Sequence, residues 1–171
     1  AYAELLLNLT KREVKGRYSQ SFFGVAWAIV QPLSAMVVFT LVFSRVAKMP
    51  SDGVPYPIFA YAALVPWFFF SNSVASGTLS LITYRNIVTK TYFPREIVPL
   101  SQVCSRFIDF AAASVFYAGF MVYYRVAVGP WAPLALVFFV LLVLFTVGFT
   151  LATSSINVFY RDVNPVVDRK S

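Results

Sequence analysis

Between Asp52 and Arg85 the chain carries no charged side chain. A helix of about 20 apolar residues crosses the roughly 30 Å of hydrocarbon in a bilayer, so a stretch of this length and character points to a membrane span. Three more stretches behave alike. Residues 22–44, 58–82, 107–124 and 133–157 read as four spans, and the acid Asp109 is the one charge inside them. Composition agrees: 12% of the 171 residues are charged and 59% are hydrophobic, against about 25% charged in a soluble domain. The expected fold is an all-α polytopic membrane protein. Pro32, beside Gln31, is expected to kink the first span, and Pro66 to mark a break or an interface anchor in the second.

The chemistry that is missing narrows the function. The chain has no His, which removes the commonest general base and metal ligand. Its single cysteine, Cys104, leaves no internal disulfide and no cysteine cluster. No Gly-rich phosphate loop ending in Gly-Lys-Ser/Thr is present, so ATP is not bound by a P-loop in this chain. Paired carboxylates are lacking within the spans. We therefore expect no catalytic residue, no metal site and no cofactor held by this chain. The net charge of +7 fits basic residues at a membrane surface better than nucleic-acid binding.

The same basic residues orient the chain. Lys11, Arg12, Lys15 and Arg17 precede the first span, Arg85, Lys90, Arg95 and Arg106 lie between the second and third, and Arg161, Arg169 and Lys170 follow the fourth. Only Arg45, Lys48 and Arg125 fall on the other side. Cytoplasmic loops hold the excess of Lys and Arg, which places the N-terminus and the segment between spans two and three in the cytoplasm. No internal repeat is evident, so an inverted-repeat transporter gains no support.

Residues 3–20 have amphipathic spacing. Ala3, Leu7, Thr10, Val14 and Tyr18 form an apolar row with Leu6 on its flank, and Lys11, Arg12, Lys15 and Arg17 occupy the remainder. Such a helix lies in the membrane interface with its basic face at the headgroups; an ordinary solvated helix on a soluble partner has the same spacing. Within the spans, Asp109 is a functional candidate by its depth, or a local i,i+3 partner of Arg106. Gln31 either lines a conduit or ties helices together. Phe39, Phe69, Phe116 and Tyr117 have faces that stack on sugar rings, and equally serve as apolar packing. The small-residue pairs Ser73/Gly77, Ser114/Ala118 and Gly148/Ala152 mark close helix approach.

The segment NIVTKTYFPREIVPL, Asn86–Leu100, interrupts the apolar pattern with Lys90, Arg95, Glu96, Pro94 and Pro99. The residue before a proline avoids the α region, so a short helix is expected over 86–92 with Phe93-Pro94 turning the chain. By charge alone it is an ordinary basic loop. With KREVKGRYSQSFFGVAWAIVQPL (Lys11–Leu33) and NVFYRDV (Asn157–Val163), however, it resembles the ordered motifs of ABC-2 type permeases of the polysaccharide-export group.

The resemblance implies a single transmembrane domain and a membrane subunit of an ATP-driven exporter in the bacterial cytoplasmic (inner) membrane. It implies a homodimer with two separate ATP-binding cassette subunits, ATP and Mg on those partners, and a lipid-linked glycan such as an O-antigen, capsule or teichoic-acid chain as substrate. Residues 85–100 match the coupling segment, with Arg85, Asn86, Lys90, Phe93, Pro94, Arg95 and Glu96 facing the ATPase. Lys11, Arg12, Lys15, Arg17 and Tyr18 match the interfacial helix beside a lateral entrance. The family has six spans, which implies further spans beyond Val167. An ABC-2 exporter of a drug or small lipid is the alternative, and an enzyme acting on a lipid-linked substrate a more distant one.

Overall fold

The computed structural model describes residues 2–19, 24, 26–46, 54–84, 94–126, 129–130 and 132–168, and the side chains of all of these except 44–46 and 159–168. Among them the regular elements are helical. They are α1 (Tyr2–Ser19), α2 (Ala26–Phe39) continuing as a π-helical stretch over Thr40–Val46, α3 (Tyr56–Thr83), α4 (Ile97–Tyr123) and α5 (Ala132–Asp168). Four segments are long and apolar enough to cross a membrane: Ala26–Phe43, Tyr56–Thr83, Ile97–Tyr123 and Ala132–Val158. The chain is an all-α, multi-pass membrane protein. At 28 residues, α3 alone extends about 42 Å at 1.5 Å per residue.

Neither Pro32 nor Pro66 stops its helix. Pro32 lies inside α2 and Pro66 inside α3, which runs unbroken from Tyr56 to Thr83. Each ring removes one backbone hydrogen bond, a loss that neighbouring helices make tolerable in membrane proteins. The glycine that precedes α2 has a conformational reason: Gly24 has φ +48° and its carbonyl accepts from Trp27 N at 3.3 Å. Its lack of a Cβ makes that left-handed turn cheap.

The helix that contains the expected third span starts ten residues before Phe107. α4 starts at Ile97, so Pro99 is inside it and not at its boundary. Pro99 sits in the first turn, where its absent N–H has no intrahelical partner to lose. Ile97, Val98 and Pro99 are buried, as are Ser101, Gln102, Val103 and Ser105.

At its other end α4 closes in a Schellman arrangement. Val126 N donates to Met121 O at 3.0 Å, Arg125 N donates to Val122 O at 3.1 Å, and Arg125 has φ 53°. That position favours glycine. Arg125→Gly should therefore raise unfolding stability in detergent by about 1 kcal/mol, the strain of an L side chain in the left-handed region. A lower melting temperature would contradict it.

The chain divides into two compact units. One comprises Arg17–Phe69 and Phe107–Leu142. Its core joins Met36 of α2, Ala60, Tyr61, Leu64 and Val65 of α3, and Ala113 of α4. Tyr61 is fully buried, stacked on Tyr117 with centroids 6.2 Å apart and edge-on to Phe120 at 5.8 Å. Phe69, 3% exposed, meets Phe107, Phe110 and Phe139.

The other unit comprises Ala1–Gly16, Phe70–Arg106 and Val143–Ser171. Its interior holds many polar, mostly small side chains beside Ile97, Val98 and Val103. Ser73 and Ser80 of α3, Ser101, Gln102 and Ser105 of α4, and Thr146, Thr150 and Ser154 of α5 are all buried. Hydrocarbon tails are as apolar as leucine, so helices there associate through close packing and polar ties. Here those ties are explicit. The hydroxyls of Thr78 and Thr153 lie 2.8 Å apart, and Asn157 Nδ2 donates to Thr78 O at 3.0 Å. Of the expected small-residue pairs, Ser73/Gly77 is buried at this packing, whereas Gly148, Ala152 and Ala118 are exposed.

Candidate functional site

α1 joins the rest of the chain through polar side chains. The expected apolar row is displaced. Ala3 and Leu7 are exposed, and the half-buried row is Leu5/Leu6, Leu9/Thr10, Glu13/Val14 and Arg17/Tyr18. That row repeats every four residues, as one face of a helix must. It admits two charges because each meets a partner. In one unit, the Tyr84 hydroxyl at the end of α3 donates to Glu13 Oε1, and the Arg12 guanidinium lies 5.1 Å from the centre of the Tyr84 ring. In the other, Arg17 Nη1 donates to Asp109 Oδ2 at 2.9 Å and the Tyr18 hydroxyl donates to Asp109 Oδ1. Lys11, Lys15 and Arg12 are exposed.

The structure thus brings together residues that the sequence assigned to separate roles. Asp109, a conduit candidate with Arg106 as its local alternative, takes Arg17 and Tyr18 of α1 as partners, 92 and 91 residues away. Spacing along one helix carries no signal for such a pair. Tyr84 has one sequence cue, that it closes an apolar run directly before Arg85, and Glu13, which stands i,i+4 from Arg17 in sequence, takes the Tyr84 hydroxyl as its partner.

Of the coupling residues, Arg85, Asn86, Lys90 and Phe93, with the helix expected over 86–92, lie outside the described residues. Pro94, Arg95 and Glu96 are exposed and lead into α4. Ile97 N, Val98 N and Leu100 N donate to the carbonyls of Pro94, Arg95 and Glu96 at 3.2, 3.3 and 3.2 Å. This exposed turn is therefore bonded directly to a buried helix start.

The aromatic conduit candidates separate. Phe69 packs among Phe107, Phe110 and Phe139, and Phe116 and Tyr117 pack around Tyr61. Phe39 instead lines an open cavity of about 530 Å³ with Phe43, Tyr56, Phe59, Trp67 and Phe68. Gln31, half-buried, accepts from Ser34 Oγ at 2.9 Å through its backbone carbonyl. Among the described residues, no three of His, Cys, Asp and Glu come together as a metal site.

With this arrangement in view, the comparisons are specific. The ABC-2 type transporter family profile matches residues 4–167. The chain belongs to the ABC-2 type transporter family. The ABC-2 chain is 34% identical over 171 residues to the O-antigen export system permease protein RfbA of Myxococcus xanthus, covering 97% of this chain and 63% of that protein. An RfbA permease of Klebsiella pneumoniae is 29% identical over 165 residues, covering 96% of this chain and 63% of that protein. The polysialic acid transport protein KpsM of Escherichia coli is 26% identical over 61 residues, which is 36% of this chain and 24% of KpsM. The ABC-2 chain thus spans 63% of the length of both RfbA relatives.

Proposed function

We propose that this chain is the permease subunit of an ATP-driven exporter that moves a lipid-linked polysaccharide across the bacterial inner membrane. Two copies form the passage, and two ATP-binding cassette subunits dock on the cytoplasmic side, where ATP and Mg are held. The observation that carries this reading is the likeness, over 97% of the chain, to a protein named as an O-antigen export permease.

The geometry supplies a path for the work. Residues 85–96 are the docking segment, and its last three residues are hydrogen-bonded into the first turn of α4. Because Ile97, Val98 and Pro99 are buried, a push on Arg95 and Glu96 is transmitted to α4 and not absorbed by a loose linker. A partner can drive that motion only if its nucleotide states contact the segment differently. The substrate contacts membrane lipid and protein together, and nucleic acid has no part in the scheme.

The test reverses the two exposed charges, Arg95→Glu with Glu96→Lys, in the complete exporter. Glycan export per ATP hydrolysed should fall roughly tenfold, within the usual range of coupling between sites, while membrane insertion stays native. Unchanged export would sink the coupling assignment. The apolar cavity beside Phe39, Phe59 and Trp67 favours a second reading, export of a small apolar compound. Loss of dye efflux with intact glycan export on deleting the subunit would select it.

A further inference from the structure

Asp109 is the only acid within the four candidate spans among the described residues. Its carboxylate meets Arg17 Nη1 at 2.9 Å and the Tyr18 hydroxyl, and the two charged side chains keep 24% and 19% of their surface accessible. A helix-packing contact alone does not call for this. Replacing a largely buried ion pair with apolar groups of similar volume is often neutral or stabilising. What an ion pair that keeps part of its surface accessible offers is a contact that separates without leaving an apolar hole, since both charges can find other partners.

Arg17 has such a partner within reach of its chemistry. It follows exposed Lys11 and Lys15 on a helix that precedes a candidate membrane span, and anionic headgroups gather around basic side chains at a membrane surface. A guanidinium fork binds phosphate as well as carboxylate, in the same bidentate manner. Directly before it stands Gly16, with open space around its Cα, a weak helix former at which the last turn of α1 can part from the rest.

We propose that Arg17, Tyr18 and Asp109 form an exchangeable latch: the carboxylate holds the last turn of α1 on α4, and the phosphate of a membrane-lipid headgroup releases it by taking Arg17. α1 then reports the anionic lipid content of its leaflet through its position. The proposal needs the membrane setting but not the export reading, and its test measures position only.

Spin labels are placed on exposed Ser19 and Ala111 as Ser19→Cys and Ala111→Cys in full-length protein carrying Cys104→Ser. In phosphatidylcholine vesicles the distance should be short and narrowly distributed. Adding phosphatidylglycerol should lengthen it by about 5 Å, one helical turn. Asp109→Asn should give the long distance in phosphatidylcholine alone. Tyr18→Phe, a milder change, should shift the transition to lower phosphatidylglycerol content, which keeps the proposal testable if Asp109→Asn fails to fold. A native distance that ignores phosphatidylglycerol overturns the latch, as does a Tyr18→Phe transition at the native lipid content. Equal lengthening by free inorganic phosphate in neutral vesicles overturns the headgroup assignment.

Discussion

Gly77→Val should be the most damaging single substitution in the polar-centred unit. A Cβ at Gly77 would fall on Thr150 Cγ2, with Pro99 O 3.8 Å away. Thr150 cannot simply swing aside, because a β-branched side chain in a helix has few χ1 choices. Overpacking of this kind costs about 1–3 kcal/mol, and more where backbone must move. Thermal unfolding in detergent should show a clear drop for Gly77→Val and substantial recovery when Thr150→Ser is added, because that change removes the opposing methyl. If the single variant melts with the native protein, α3 and α5 do not approach as closely as the structure has them.

In the aromatic unit two substitutions at Tyr61 should diverge. Tyr61→Ala empties a fully buried site among Phe116, Tyr117 and Phe120 and should cost about 3 kcal/mol or more, as large-to-small changes in well-packed interiors do. Tyr61→Phe should be neutral or stabilising by about 1 kcal/mol. The reason is that the Tyr61 hydroxyl has no hydrogen-bond partner among the described residues, and removing an unsatisfied polar atom relieves its desolvation penalty. A Phe variant that melts well below the native protein would mean that the hydroxyl has a partner in the membrane-embedded protein.

Four spans were legible in the sequence because hydrocarbon tolerates so few charges that charge-free runs mark them. Their limits were less so. Pro99 suggests an interruption, yet it occupies the one helical turn where proline is harmless. The π-helical stretch Thr40–Val46 left no trace in the pattern, since a change in hydrogen-bond register need not alter composition. On α1 the sequence pattern groups Leu7 with Thr10, Val14 and Tyr18 in an apolar row and sets Arg17 among the basic residues. In fact Leu7 is 58% exposed and Arg17 has 24% of its side-chain surface accessible. Such a reversal follows from partners on distant helices, and no local window contains Tyr84 or Asp109. The aromatics show the same limit: sequence identifies Phe39, Phe69, Phe116 and Tyr117 as a class, and only the structure tells which neighbours each one meets.

The union of Arg17 with Asp109 also sets an order of events during synthesis. Their 92-residue separation means that a ribosome adding about 5–20 residues per second needs roughly 5–18 s to make the acid after the arginine. Until then α1 has no carboxylate waiting for its last turn, and the first two spans enter the bilayer with that turn unclaimed. Docking of Arg17 and Tyr18 is therefore a late step, completed only once the third span has been delivered to the membrane. A nascent chain halted before Asp109 should keep this end of α1 open to protease, and one halted well after it should not.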